Sequence, residues 1–279
     1  MPYTAEISRT NPTSLLFLID HSSSMDGSFA GQPGKKKADG VADAINRLLQ
    51  NLVLKCAKST GVRDYFHVGV IGYGAEVKPV LVGTSPARPL LPISVVANAP
   101  LRVEKRTRTT DDGSGKLVER PYRFPVWFEP VANGKTPMNA ALELAKDVVT
   151  GFLAMHPDCF PPLVLNLTDG QPTDANPLAV AQALKGLKSS DGNVLLLNAH
   201  LSSAPGAPIA FPNSEDGLPD VFSKLLFRMS SLLPTPMVQA ALEEGYTLAG
   251  AARGFMFNAD LVAVTRFLEI GTRVASSVR

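Results

Sequence analysis

Acidic and hydroxyl side chains that could bind a metal ion recur at three places in the 279-residue chain. The first place is the run Asp20-x-Ser22-x-Ser24, the second is Thr136, and the third is Asp169. Together these side chains offer five hard oxygen donors and no soft ligand. Such donors suit Mg²⁺, which keeps several waters and takes only one or two protein carboxylates. The sequence therefore predicts a magnesium site formed by these five residues, in which Mn²⁺ or Ca²⁺ could substitute.

Mainly apolar runs, typical of strands covered on both faces, alternate along the chain with segments of helical spacing, and the first of them is continuously apolar. The runs are Leu15–Ile19, Phe66–Ile71, Leu163–Leu167 and Val194–Ala199. The helical segments are Val41–Val53, Ala141–Phe152, a helix capped by Thr173 or Asp174 that ends near Leu187, Val221–Leu232 and Leu261–Val274. This alternation predicts an α/β fold with a doubly wound, mostly parallel sheet flanked by helices. In such sheets ligands bind beyond the carboxyl ends of the strands, where Asp20 and Asp169 are expected.

The order and spacing of these residues resemble the von Willebrand factor type A (vWA) domain with its metal-ion-dependent adhesion site (MIDAS). The matching residues are Asp20-x-Ser22-x-Ser24, the isolated Thr136, and Asp169 in Leu-Thr-Asp-Gly. The resemblance implies a Rossmann-like vWA fold in which Ser22, Ser24 and Thr136 coordinate the metal directly. It implies that Asp20 and Asp169 act through waters or at longer range, and that a partner's acidic side chain completes the coordination.

On this resemblance the chain is expected to be a non-enzymatic, Mg²⁺-dependent protein-binding module of the stand-alone bacterial cytoplasmic type. Such members accompany kinases, phosphatases or AAA+ ATPases in stress and signalling systems, so the resemblance implies a partner of that kind, encoded nearby, that presents an Asp or Glu. Two alternatives stay open. One is a metal-dependent phosphoesterase or other hydrolase, and the other is a structural vWA module whose metal site is unoccupied.

Other catalytic motifs are incomplete in this sequence. Gly134-Lys135-Thr136 resembles the end of a phosphate-binding loop, but Glu129 stands where that motif needs its first glycine. No Gly-x-Ser-x-Gly nucleophile elbow occurs. A hydrolase would have only His21, beside the predicted metal loop, as its general base. The sequence therefore predicts no catalytic residues.

The domain prediction is a single vWA domain over residues 1–279, with a core over about 14–275 and a hairpin-type insertion over 80–130. Residues 102–123 hold seven basic and four acidic side chains, with an Asp-Gly-Ser-Gly turn signal at 112–115. This pattern predicts a protruding hairpin. It leaves open whether the hairpin is a solvated edge or an arm that binds a partner or nucleic acid.

Composition excludes several classes of protein. Apolar residues make up 45% and charged residues 19% of the chain, which is typical of a globular protein with a core. A formal net charge of +2 gives no reason to expect nucleic acid or an anionic membrane as a partner. Two cysteines, Cys56 and Cys159, cannot form a disulfide framework. With no secretory signal and no long apolar run, a cytoplasmic location is predicted.

Overall fold

Seven α-helices and fourteen strands lie in the computed structural model, which describes residues 3–29, 34–111, 113, 115–201 and 206–272. The helices are α1 (Lys37–Cys56), α2 (Ile93–Asn98), α3 (Met138–Met155), α4 (Leu178–Gly186), α5 (Val221–Met229), α6 (Thr235–Glu243) and α7 (Leu261–Thr272). The longer strands are β1 (Thr13–Asp20), β4 (Phe66–Tyr73), β7 (Arg102–Asp111), β8 (Leu117–Val126), β9 (Leu163–Thr168), β12 (Leu195–Leu201) and β14 (Phe255–Ala259). The short strands are β2 (Ala57–Lys58), β3 (Gly61–Val62), β5 (Val77–Pro79), β6 (Leu91–Pro92), β10 (Lys188–Ser189), β11 (Gly192–Asn193) and β13 (Ile209–Ala210).

Eight strands form the main sheet, in the order β13-β14-β12-β9-β1-β4-β5, with β6 also paired to β4. All eight residues of β1 are buried at the centre of this sheet. Its side chains alternate between two cores, with Phe17 and Ile19 in one and Leu16 and Leu18 in the other. Helices α1, α2, α6 and α7 contribute to the first core, and α3, α4 and α5 to the second. Because both faces are covered, the strand sequence is continuously apolar.

The sheet is mixed, which corrects the predicted doubly wound, Rossmann-like, mostly parallel sheet of vWA type. Four strand pairings are parallel, between β1, β4, β9, β12 and β14. Three pairings, those of β5, β6 and β13, are antiparallel. Only residues 74–76 separate β4 from β5, and such a short connection permits only an antiparallel return. These edge strands of two or three residues are too short to give a periodic signal in the sequence.

Strands β7 and β8 form a separate antiparallel hairpin of ten residue pairs, from Arg102↔Val126 to Asp111↔Leu117. The hairpin contacts α1, where Phe124 and Val126 are buried. Of its predicted turn, residues 112 and 114 lie outside the described residues, as do residues 273–274 of the predicted last helix. No helix in the described ranges is long and apolar enough to cross a membrane.

Candidate functional site

The five oxygen-bearing residues singled out in the sequence lie together at the carboxyl ends of β1 and β9. The Ser24 hydroxyl donates to Asp169 Oδ1 over 2.7 Å, and the Ser22 and Ser24 hydroxyls are 2.9 Å apart. The Ser22 N–H donates to Asp20 Oδ1 over 2.8 Å, which folds the loop back onto the strand end. We call Asp20, Ser22, Ser24, Thr136 and Asp169 the oxygen cluster.

Gly170 lies at the centre of the oxygen cluster and leaves space within it. A Cβ atom on Gly170 would lie 3.2 Å from Thr136 Oγ1, 3.7 Å from Ser24 Oγ and 3.8 Å from Asp20 Oδ2. Three separate chain segments therefore point oxygen atoms at one small volume. A side chain at position 170 would fill that volume.

The loop that carries Thr136 is fastened to its neighbours by its backbone. Gly134 has a φ of +92°, and a Cβ there would lie 2.3 Å from Ala75 N, so only glycine fits. The Ser23 N–H donates to the Gly134 carbonyl over 3.0 Å, and the Gly134 N–H donates to Ser23 Oγ over 3.1 Å. The Thr136 N–H donates to Thr173 Oγ1 over 3.0 Å. These bonds hold Thr136 beside the first loop of the cluster.

Asp174 fixes the start of α3, next to the oxygen cluster. The prediction that Thr173 or Asp174 caps the following helix is wrong, because α4 begins at Leu178. The Asp174 carboxylate instead accepts hydrogen bonds from the N–H groups of Asn139 and Ala140, over 3.2 and 2.9 Å. These are first-turn N–H groups, which have no partner within their own helix. The acid therefore ties the loop after β9 to α3.

Lys37 supplies a buried positive charge that the sequence did not reveal. Its ammonium group forms an ion pair with Asp169 Oδ2, and the two side chains are only 4% and 1% exposed. Lys36, by contrast, pairs with Asp26 at the surface. Nothing in the sequence of the run Lys35–Lys37 distinguishes the buried lysine from its neighbours.

Asp20 is fully buried beneath the cluster. Burial raises the pKa of Asp20 to about 6, although hydrogen bonds from Ser22 and Thr168 favour its charged form. The Thr168 hydroxyl donates to Asp20 Oδ2 over 2.6 Å. Thr168 is thus a supporting residue, which lies within the motif Leu-Thr-Asp-Gly but outside the predicted set of metal ligands.

His21 packs against β4. A Cβ atom on Gly72 would lie 2.3 Å from His21 Cε1, so the ring occupies the space beside that glycine. Burial, together with the nearby charge of Lys78, lowers the pKa of His21 to about 4. Its Nε2 atom is buried without a hydrogen-bond partner in the described part of the chain. A neutral ring held in this way is poorly placed to serve as a general base for chemistry at the cluster.

The donor chemistry of the cluster fits a small, hard divalent cation. The hydroxyls of Ser24 and Thr136 and the carboxylate of Asp20 line the space at Gly170, and Ser22 and Asp169 lie within hydrogen-bond distance of Ser24. Mg²⁺ prefers such oxygen donors. Within the described ranges, no group of three or more His, Cys, Asp or Glu side chains is arranged to hold a metal ion. The cluster is therefore not a carboxylate-rich centre. A cation held mostly by neutral hydroxyls keeps positive charge and attracts an anion.

Comparison with known proteins places the chain in no family. No family model and no curated protein matches it. It is similar to the PilB minor pilin from Streptococcus sanguinis, with 10% identity and a TM-score of 0.49, over 100% of this chain and 64% of that one. It is also similar to proximal thread matrix protein 1 from the mussel byssus, with 12% identity and a TM-score of 0.44, over 97% and 46% of the two chains. A third similar structure holds three N-terminal domains of the type V pili tip protein Mfa5 from Porphyromonas gingivalis, with 12% identity and a TM-score of 0.33, over 58% and 20%. The chain spans less than two thirds of the length of each of these three chains.

These comparisons correct the family predicted from the sequence. No family model and no curated protein supports a vWA domain. The vWA assignment, the name MIDAS and the stand-alone bacterial type are therefore withdrawn. The motif consists of five Asp, Ser and Thr residues, which are types that also form turns and helix caps, so it does not specify a family by itself.

Proposed function

We propose that the oxygen cluster binds Mg²⁺ and that the chain thereby captures an acidic side chain of a protein partner, without catalysing a reaction. The hydroxyls of Ser22, Ser24 and Thr136 would hold the ion, and the carboxylates of Asp20 and Asp169 would balance its charge. The observation that carries this proposal is the convergence of oxygen donors from three chain segments on one small space.

The charge of the cluster supports capture of an anion. Its two carboxylates contribute two negative charges, and the buried ammonium group of Lys37 offsets one of them. A divalent cation would therefore leave one net positive charge. A carboxylate from a partner neutralises that charge, whereas a cationic or neutral side chain does not.

The structure bears on the hydrolase alternative but not on the class of the partner or on the location of the protein. A hydrolase needs a general base beside the cluster, and His21 is instead buried against Gly72. A partner that is a kinase, phosphatase or AAA+ ATPase stays a prediction, as does the cytoplasmic location.

Calorimetric titration with MgCl₂ tests the metal site directly. Thr136→Ser keeps the hydroxyl and Thr136→Ala removes it, while the hydrogen bond from the Thr136 N–H to Thr173 is available to both. We expect the wild type and Thr136→Ser to bind one ion per chain, and Thr136→Ala to bind about tenfold more weakly, a loss of about 1.4 kcal/mol. Equal affinities of the two variants would exclude Thr136 as a ligand. No binding heat with the wild type would refute the proposal.

Affinity capture from the native host lysate tests the second half of the proposal. Immobilised protein is incubated with lysate in MgCl₂ or in EDTA, with Thr136→Ser and Thr136→Ala as matched variants. We expect Thr136→Ser to retain a partner in MgCl₂ and release it in EDTA, and Thr136→Ala to retain less. Retention that is the same in EDTA would show that capture does not use the metal.

A further inference from the structure

The hairpin of β7 and β8 has two outer edges, and side chains of α1 hydrogen-bond to backbone groups along the β8 edge. Helix α1 reaches β7 through the ion pair of Asp43 with the Arg106 side chain. Gln50 of α1 donates from Nε2 to the Arg123 carbonyl over 3.2 Å. Asn46 of α1 accepts from the Trp127 N–H, just beyond β8, over 2.8 Å. The outer edge of β8 therefore runs along α1. No third strand pairs with β7 among the residues that the structure describes.

Two prolines determine which backbone groups of the hairpin point outward. Pro121 lies opposite Thr107, and Pro125 lies opposite Val103. In an antiparallel ladder, pairs that exchange two N–H···O bonds alternate with pairs that exchange none. Because proline has no N–H to donate, these two pairs belong to the class without bonds, and so does every second pair. Between Arg102 and Thr110, the outward-pointing backbone groups of β7 are therefore those of Val103, Lys105, Thr107 and Thr109.

These four residues form what we call the β7 edge. The segment from Val103 to Thr109 contains no proline, and the side chains of all four residues are exposed. On β8, Pro121 and Pro125 remove outward donors, which is a common way to prevent strand addition. The β7 edge keeps its donors and acceptors, and so it presents a template for one more strand.

Positive charges accumulate beside the β7 edge. Lys105 lies directly opposite Arg123, and Arg108 lies directly opposite Arg120. Like charges in directly opposed positions destabilise a ladder. None of these four cations forms an ion pair within the described part of the chain. An acidic strand at this edge would relieve the repulsion.

The same charges disfavour a second copy of this chain as the occupant. Because outward-pointing residues must pair with each other, pairing β7 with another β7 near its middle would set Arg106 against a second Arg106 or against Arg108 across the new interface, which repels. Nucleic acid is also disfavoured, because its phosphates would leave the regularly spaced N–H and C=O groups of the edge without strand partners.

We propose that the β7 edge binds an extended acidic segment of a partner protein by strand addition. The partner's backbone pairs with Val103, Lys105, Thr107 and Thr109, and its alternating carboxylates lie on the face of the hairpin that carries Lys105 and Arg123. This surface uses none of the residues of the oxygen cluster, so it stands whether or not the cluster binds metal.

Binding of a synthetic peptide tests the proposal. The probe is a capped, fluorescently labelled nine-residue peptide in which Glu alternates with Val, and the control has Lys in place of Glu. We expect saturable binding of the acidic peptide by fluorescence anisotropy, and binding of the basic peptide that is about tenfold weaker or more. Hydrogen exchange should slow at the amides of the β7 edge when the acidic peptide is added. The amides of Glu104 and Arg106, which face β8, should not change. Failure to bind the acidic peptide, or binding without this alternating protection, would overturn the proposal.

A matched pair of variants separates strand addition from attraction between charges. Thr107→Pro removes one outward N–H opposite Pro121 without removing a donor to β8, and Thr107→Ser keeps that N–H. We expect Thr107→Pro to lose about tenfold in affinity and Thr107→Ser to bind as the wild type does. Equal binding by the two variants would overturn strand addition. A 12-base-pair DNA duplex serves as the competing probe. If the duplex binds more tightly than the acidic peptide, and Thr107→Pro does not weaken its binding, the hairpin binds nucleic acid instead of a peptide strand. If Thr107→Pro unfolds the hairpin, the exchange pattern of the wild type decides.

Discussion

The ammonium group of Lys37 and any bound cation compete for the same carboxylate. Lys37 is buried and ion-paired with Asp169, and Asp169 also accepts the hydrogen bond from Ser24. The lysine therefore lowers the negative charge that the oxygen cluster can offer to a metal ion. In return, it neutralises a carboxylate that would otherwise be buried without a counter-charge, which is costly.

Replacement of Lys37 should thus change metal affinity and stability in opposite directions. We expect Lys37→Gln to bind Mg²⁺ about tenfold more tightly by calorimetry, because Asp169 gains charge for the ion. Without Mg²⁺, it should lose about 3 kcal/mol of unfolding free energy in urea, because a buried ion pair is broken.

Lys37→Arg is the control for this prediction, since it keeps the charge and should match the wild type more closely in both measurements. Added Mg²⁺ should restore part of the stability of Lys37→Gln. An unchanged or weaker Mg²⁺ affinity of Lys37→Gln would show that Lys37 and Mg²⁺ do not compete for the carboxylate of Asp169.

Single residues of the cluster were predictable where they follow an apolar strand. Asp20 and Asp169 each end such a run, and the topology of parallel strands brings strand ends together. Lys37 was not predictable, because its burial depends on where α1 docks and not on its neighbours in the chain. The role of Asp174 was hidden for the same reason, since its partners lie about 35 residues away.

Buried polar side chains link three strands to α5 at the scale of the elements. The Tyr73 hydroxyl donates to Asn166 Oδ1 over 2.7 Å, and Asn166 Nδ2 donates to Asn198 Oδ1 over 2.9 Å. Asn198 Nδ2 in turn donates to Ser230 Oγ over 2.9 Å. Both asparagines are fully buried. Each member of this chain therefore depends on the next for its hydrogen bonds.

Removal of one asparagine should leave the other without its hydrogen-bond partner. We expect Asn198→Ala and Asn166→Ala each to lower the free energy of unfolding by about 2 kcal/mol, because each leaves a buried amide unsatisfied. The double variant should lose less than the sum of the two, since no unpaired amide is left between them. Urea denaturation measures all three. Strictly additive losses would show that the two side chains do not depend on each other.

Long elements could be predicted from the sequence, and short edge elements could not. The runs over Leu15–Ile19 and Leu163–Leu167 lie within β1 and β9, because strands covered on both faces are mainly apolar, with Asn166 as the polar exception. Strands such as β13, with only two residues, pair because β14 is adjacent in the fold. The mixed character of the sheet therefore arises from tertiary packing, which residue patterns do not record.

Four histidines make the stability of the whole molecule sensitive to pH. Burial lowers the pKa of His21 to about 4 and lowers the pKa values of His67, His156 and His200 in the folded chain from an ordinary 6.5. Below about pH 6.5 the unfolded chain therefore binds more protons than the folded chain, and stability falls as the pH falls. The raised pKa of Asp20, about 6, acts in the opposite sense below that pH, because the folded chain then binds the extra proton.

We expect the urea midpoint to be lower at pH 5.5 than at pH 7.5. Each extra proton bound by the unfolded chain contributes a slope of up to about 1.4 kcal/mol per pH unit. His67→Gln should flatten this dependence, because it removes one of the groups responsible. A urea midpoint that is constant or that rises on acidification would contradict the predicted loss of stability at lower pH.

The facing amides of Asn166 and Asn198 also determine the register in which β9 and β12 pair during folding. They are directly opposite each other on β9 and β12, on the face that bears the second core. A slip of either strand by one residue would turn its amide into the opposite, leucine-lined layer. Each misaligned amide would cost about 1–3 kcal/mol. Two apolar strands that could otherwise pair in several registers therefore have one favoured register.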